Sequence, residues 1–268
     1  MQGLLDLVLI CIMEIRLSAV IITFNEERNI ERCLKSLDGI ADEIIVVDSF
    51  STDSTESICI AAGAKFIQHE FEGHIEQKNW AKEQASFDHI LSLDADEALD
   101  EQLKSAIKDL KQNWQHDGYQ MNRMTNFCGQ WIKHSGWYPD VKLRLFDRRK
   151  AAWGGDNPHD KIIMMSDEKT SHLKGNILHY SFYTLEEHMQ QIHKFSSIGA
   201  KALYKKGKKS SLLKCFYKPT ARFIKAFILQ KGFLDGHFGW IISTRSAYAN
   251  YLKYRKLRLL QQGKTIER

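Results

Sequence analysis

The 268-residue chain has no C-x-x-C pair: its five cysteines, Cys11, Cys33, Cys59, Cys128 and Cys215, are odd in number and far apart. That excludes a disulfide framework and a cysteine zinc site, and it suits a reducing, cytosolic setting. There is no apolar run of the roughly 20 residues needed to span a bilayer. The opening MQGLLDLVLICIM is short, carries Asp6 and lacks the basic start of a secretory signal. It reads as an N-terminal extension over 1–14, either interfacial or an upstream start with Met13 as alternative initiator. No G-x-x-x-x-G-K-[ST] loop and no G-x-G-x-x-G turn follows any apolar segment, which excludes P-loop and dinucleotide-oxidoreductase chemistry on their usual signals. Internal repeats and low-complexity linkers are absent too. Acidic residues are scarce at one end only: from Lys201 to Arg268 there are 17 Lys or Arg against Asp235 and Glu267, while the preceding residues are net acidic. Such an asymmetry is a partner signal, for an anionic membrane surface or for nucleic acid.

What is present is enough for a full core, since 43% of the residues are hydrophobic. From Ile15 onward two periods alternate. IRLSAVIIT is a continuous apolar strand, and in EERNIERCLKSL the residues Ile30, Cys33, Leu34 and Leu37 take helical spacing. EIIVVD, AKFIQH and HILSLD are further strands, separated by helices over TDSTESICIAAGA and about 75–86. Apolar strands joined by helical crossovers imply an α/β fold, a Rossmann-like, mostly parallel sheet with helices on both faces. Ligands of such sheets bind at the carboxyl ends of the strands. After about 115 come shorter strands of a mixed sheet (GYQMNRMTNFCG, VKLRLFDR, DKIIMM, GNILHYSF), and from Thr184 the chain reads as a basic helical region.

Three strand ends are polar: TFNEE at 23–27, VVDSFSTD at 46–53 and LDADE at 93–97. They are expected to converge on one crevice. The last places Asp94, Asp96 and Glu97 together, and two readings compete. One carboxylate could start the next helix by capping its free N–H groups. Alternatively, two aspartates one residue apart hold a divalent cation that bridges substrate phosphates.

In order and spacing, LSAVIITFNEERNIERCLKSL, ADEIIVVDSFSTDST and ILSLDADE resemble the nucleotide-sugar part of family-2 glycosyltransferases with the GT-A fold, over about 15–125. HSGWYPDVKLRLF and NPHDKI are similar to a subgroup that adds β-linked glucose to the lipopolysaccharide inner core, which extends the resemblance to about 180. The resemblance implies that Thr23, Asn25 and Glu26 lie where uracil and ribose are held, with Asp48 and Ser49 at the base. Ser49 stands where the family often has a second aspartate. Lys78 matches a basic position near the diphosphate, against the alternative of a solvated helix charge. Asp94 then faces the ribose or sugar, Asp96 binds Mg²⁺ or Mn²⁺, and His159 completes the metal shell. The general base that inverting transfer requires comes from Asp140, Asp156 or Asp160. Asp160 is preferred, although the subgroup usually has glutamate there. Trp137 and Tyr138 suit a sugar-stacking acceptor wall, against the alternative of aromatic core packing.

The expected organisation is a GT-A domain over 15–183, divided at 125 into nucleotide-sugar and acceptor parts, followed by a membrane-proximal basic helical region over 184–268. The expected activity is metal-dependent, inverting hexosyl transfer, glucose from UDP-glucose, to a lipid-linked saccharide such as lipopolysaccharide inner core. The enzyme would be peripheral on the cytoplasmic side of the inner membrane, with no nucleic acid as partner. A polyprenyl-phosphate or surface-polysaccharide transferase shares this chemistry. A nucleic-acid-binding module built on the basic tail is the reading from another class, and it leaves the acidic crevice unexplained.

Overall fold

The seven residues of β1, Leu17–Thr23, alternate between two buried environments, and that alternation builds the first layer of the fold. Leu17, Ala19 and Ile21 join one apolar cluster, and Val20 joins another. A strand buried on both faces belongs in the interior of a covered sheet, and β1 lies between two parallel neighbours, β2 (Glu43–Asp48) and β4 (His89–Asp94). The computed structural model describes residues 14–156, 159–165 and 169–266, the side chains of 156 and 159 excepted. In it β3 (Lys65–Gln68) extends the parallel set beyond β2. β8 (Asp140–Asp147) then pairs antiparallel with β4, so the sheet is mixed, as expected.

The full strand order is β3-β2-β1-β4-β8-β6-β11-β5, where β5 is Glu97–Leu99, β6 Gly118–Phe127 and β11 Thr170–Phe182. On one face lie α1 (Ile30–Ser36), α2 (Thr55–Ala61) and α4 (Glu101–Gln112), through Ile30, Cys33, Cys59, Leu103 and Ile107. The other face carries α3 (His74–Glu83) through Ala81, together with a hairpin of β9 (Ala151–Asp156) and β10 (His159–Met164) through Trp153 and Ile162. DKIIMM therefore belongs to a separate two-stranded sheet and not to the main one. α2 stops where Gly63 adopts φ +74°, a conformation that glycine enters without steric cost.

The chain forms two compact units that interleave along the sequence. One holds the described residues through Asn122 with Val141–Ile177; the other holds Arg123–Asp140 with Leu178 onward. A division drawn at 183 does not reproduce them, because the segment 123–140 clusters with the C-terminal helices. In the second unit β7 (Gln130–Trp131) pairs with the end of β6. Around Phe127, Ile132, Phe182 and Ile242 pack α5 (Leu185–Lys205) and α7 (Gly236–Gln261). α5 begins with a capping box between Thr184 and Glu187. α6 (Leu212–Ile224), capped by Ser211, runs into a π-helical turn at Lys225–Leu229, and a 3-10 turn at Gly232–Asp235 leads to α7. Among the described residues no helix is long and apolar enough to cross a membrane.

Candidate functional site

Strand register brings the polar ends together. Thr23 pairs with Asp48 across β1 and β2, and Ile22 pairs with Asp94 across β1 and β4, so the three ends lie within one rung of each other. The loops that follow are tied to one another. Asn25, at φ +53°, donates its N–H to Ser51 Oγ (2.7 Å) and accepts from Thr52 N at Oδ1 (2.8 Å). Glu26 N–H donates to Thr55 Oγ1 (2.9 Å), and Ser54 N–H to Glu27 Oε2 (3.0 Å). Asp48 is fully buried, with both carboxylate oxygens taken by the N–H and hydroxyl of Ser51. In this conformation it shapes the loop and presents no surface to a base. Ser49 Oγ accepts from Gln77 Nε2 (3.2 Å). Thr23 Oγ1 is buried with no hydrogen-bond partner, an unmet polar atom at the floor of the crevice.

The carboxylate cluster is not a helix cap. Asp100 caps α4, its Oδ1 accepting from Leu103 N (2.8 Å), and β5 separates that cap from Asp94 and Asp96. Asp94 accepts from Lys78 Nζ at Oδ1 (2.8 Å) and from Arg144 Nη2 at Oδ2 (2.8 Å). Arg144 also reaches Glu97 Oε1 (3.0 Å), and Glu97 Oε2 accepts the Asp94 N–H (3.0 Å). Burial disfavours the charge on Arg144, but Glu97 and Asp94 outweigh it and raise its pKa above the ordinary value. Lys78 Nζ lies 2.8 Å from Asp160 Oδ2 as well, and 4.3 Å above the Trp153 ring. At 5% exposure, Lys78 is no solvated helix charge. The β9–β10 hairpin supplies Asp160 and Trp153, and α3 supplies Lys78.

Burial raises the pKa of Glu26, opposed by the hydrogen bond from Asn29 and reinforced by Asp96, Asp53 and Asp94. Glu26 therefore senses the charges of Asp96 and Asp94. Lys78 and Arg144 meet Asp94, Glu97 and Asp160 here, and Glu26 and Asp96 bring two more carboxyl groups to the same strand ends. Among the described residues no group of three or more His, Cys, Asp or Glu is placed to hold a metal, and the side chain of His159 lies outside the description. The Asp96 carboxylate, with Asp94 beside it held by Lys78 and Arg144, is a hard oxygen donor. That suits Mg²⁺ or Mn²⁺, which bind through one or two carboxylates together with substrate phosphates and water.

The other expected residues are placed differently. The Asp156 side chain lies outside the described residues. Asp140 belongs to the second unit and accepts from Arg123 Nε (2.9 Å) and Nη2 (2.8 Å). Trp137 and Tyr138 belong to that unit too. Trp137 is half-buried and meets Phe127 and His188 edge-on, with centroids at 5.6 and 5.8 Å, so part of its ring is spent on packing. Their loop is held by Asp235, which accepts from the backbone N–H of Lys133 (3.2 Å) and His134 (2.9 Å) and lies 2.9 Å from His134 Nδ1.

Sequence reasoning missed Arg144 and Asp235. The signal for Arg144 was an arginine amid the apolar residues of VKLRLF, since a cation on a buried strand must find carboxylates. For Asp235 it was one of only two acids in a basic tail.

The model of the family Glycosyl transferase family 2 matches residues 18–208. A glycosyltransferase of Rickettsia typhi is 33% identical over 256 residues, 91% of this chain and 87% of that protein. The lipopolysaccharide core biosynthesis glycosyltransferase LpsC of Rhizobium meliloti is 27% identical over 90% of this chain and 91% of its own. The structure of residues 1–349 of S. aureus TarS in complex with UDP covers 94% of this chain and 93% of its own at 16% identity and TM-score 0.46. The family match spans the aligned strand ends, the carboxylate pair and the hairpin that carries Asp160, and the chain belongs to glycosyl transferase family 2.

Proposed function

We propose that the chain is an inverting hexosyltransferase that moves glucose from UDP-glucose onto a lipid-linked saccharide of the lipopolysaccharide inner-core type, as a peripheral protein on the cytoplasmic face of the inner membrane. The observation that carries the reading is the Asp94–Asp96 pair at the end of β4, in register with the ends of β1 and β2 and joined to Asp160 through Lys78. The likeness to the Rhizobium lipopolysaccharide core enzyme along nearly the whole chain supports the acceptor class, and UDP follows from the resemblance of the first two strand ends.

Asp96, with Asp94 beside it and His159 as a further ligand, would hold Mg²⁺ or Mn²⁺, which supplies positive charge to the departing diphosphate. Arg144 and Glu97 fix the Asp94 carboxylate from behind. Lys78 pairs with Asp94 and Asp160; a donor diphosphate would offer it another anion and leave Asp160 to work as base. The acceptor hydroxyl oxygen then attacks the anomeric carbon as its proton passes to Asp160. The bond from that carbon to the phosphate oxygen breaks, and UDP leaves with the bonding pair. One displacement turns an α-linked donor into a β-linked product.

The test is turnover of UDP-glucose with a lipid-linked core acceptor. Asp160→Asn should lower the rate by roughly 10² to 10⁴ with donor affinity little changed, and Asp160→Glu should keep measurable activity. Loss of donor binding in Asp160→Asn would make Asp160 a donor or metal contact, and an α-linked product would eliminate the single displacement.

A further inference from the structure

A surface helix normally turns its large apolar side chains inward. The segment Leu212–Leu229, α6 with its π-helical turn, packs Phe223 and Phe227 against Trp240 of α7 but leaves a second apolar set facing out. Its exposed positions recur four residues apart in two adjacent rows; they carry Leu212, Leu213, Phe216, Tyr217, Ile224, Ile228 and Leu229, with Thr220, Ala221 and Lys225 among them. Leu213, Phe216 and Leu229 are 77%, 68% and 72% exposed, while the buried residues of the segment are Cys215 and Ala226, both small. The outward row is about 27 Å long at 1.5 Å per residue, too large an apolar face for a freely solvated helix.

Charge identifies what covers it. Neither α6 nor α7 contains an acidic residue, and Asp235 between them is buried and committed to His134. Lys253 of α7 has its pKa lowered by burial and then by Arg222 and Lys218 of α6, so three cations from two helices crowd together and call for anions from outside. A second copy of this chain would bring the same cations face to face in a two-fold interface. An anionic bilayer supplies both partners at once, phosphates at the level of the cations and acyl chains beneath the apolar row.

We propose that the outward face of α6 and its π-helical turn lies in the interfacial layer of an anionic bilayer, with Leu213, Phe216 and Leu229 entering the acyl boundary and Lys218, Arg222 and Lys253 meeting lipid phosphates. This rests on the reading of the acceptor as lipid-linked, but its test uses no sugar transfer. The full chain is floated with vesicles of phosphatidylcholine alone and with phosphatidylglycerol added, as wild type, as Leu213→Gln/Phe216→Gln and as Lys218→Glu/Arg222→Glu. Wild type should float only with the anionic vesicles, and each double variant should lose at least about tenfold in partition, with an unchanged melting temperature because the altered side chains are largely outside the core. Unchanged partition of the apolar variant would overturn the proposal. So would loss of flotation on removal of residues 1–13 alone, or a wild-type dimer in sedimentation velocity that the apolar variant dissociates. If flotation behaves as expected while no nucleotide sugar is turned over with detergent-dispersed acceptor, the catalytic reading fails and the membrane face stands.

Discussion

At the scale of single residues, Arg144 gathers the charges of the crevice. Its guanidinium is 4% exposed, and it bonds Asp94 and Glu97, which is itself almost fully buried. Replacing it by methionine takes that cation from Glu97 and from Asp94, which keeps Lys78, and breaking a buried pair in this way costs about 3–5 kcal/mol. Urea unfolding of Arg144→Met should show that loss, and donor affinity should fall with it because Asp94 loses the bond that fixes its Oδ2. A second residue-scale prediction concerns His188, which is buried against Phe127 and Trp137. Burial, and then Arg245, push its pKa down to about 4. Above the ordinary histidine value near 6.5 both folded and unfolded chains carry it neutral. Between that value and about 4 only the unfolded chain takes up the proton, so stability falls as pH falls, by about 3 kcal/mol in all. Melting curves between pH 7 and pH 4 should show this decline, and His188→Leu should flatten it.

At the scale of elements, the connections matter more than the strands. β2 and β4 coincide with the apolar runs EIIVVD and HILSLD, because a strand buried on both faces writes its limits directly into composition. The loop after β7 has no such periodicity. It is set by Asp235 at the start of α7, whose carboxylate satisfies the N–H groups of Lys133 and His134 and whose carbonyl accepts from Gln130 Nε2 (3.0 Å). Asp235→Ala should destabilise the second unit by about 1–3 kcal/mol through the orphaned donors. The amides of 133–135 should exchange faster with solvent. If Trp137 and Tyr138 bind the acceptor, KM for the acceptor should rise more than kcat falls. Unchanged exchange at 133–135 would show that the loop is held by other contacts.

At the scale of the whole molecule, the proposed function divides the work between two regions: the carboxylates at the strand ends would concentrate negative charge for a cation and a diphosphate, and the basic helices would meet an anionic surface. Asp96→Asn tests the first. Titration calorimetry of UDP-glucose should show wild-type affinity that drops on adding a chelator and an Asn variant that binds equally weakly with or without metal, while circular dichroism and melting temperature stay unchanged. Binding by Asp96→Asn that still depends on metal would move the ligand role to another carboxylate.

The sequence by itself determined the order of strands and helices from Leu17 to Asp94, the three polar strand ends, the Asp94–Asp96 pair and the family to which they belong, because each is written within a few consecutive residues; β5, which follows, was not among them. Tertiary structure decided the rest. Arg144 meets Asp94 across 50 residues of chain, Lys78 meets Asp160 across 82, and His134 meets Asp235 across 101. Only folding also revealed that the segment 123–140 clusters with the C-terminal helices and that α6 leaves Leu212, Leu213 and Phe216 facing out. Hydrophobic periodicity states which residues share a face of an element; it does not state which face the core claims, nor which distant charge a buried side chain meets, because both depend on packing between segments far apart in the chain.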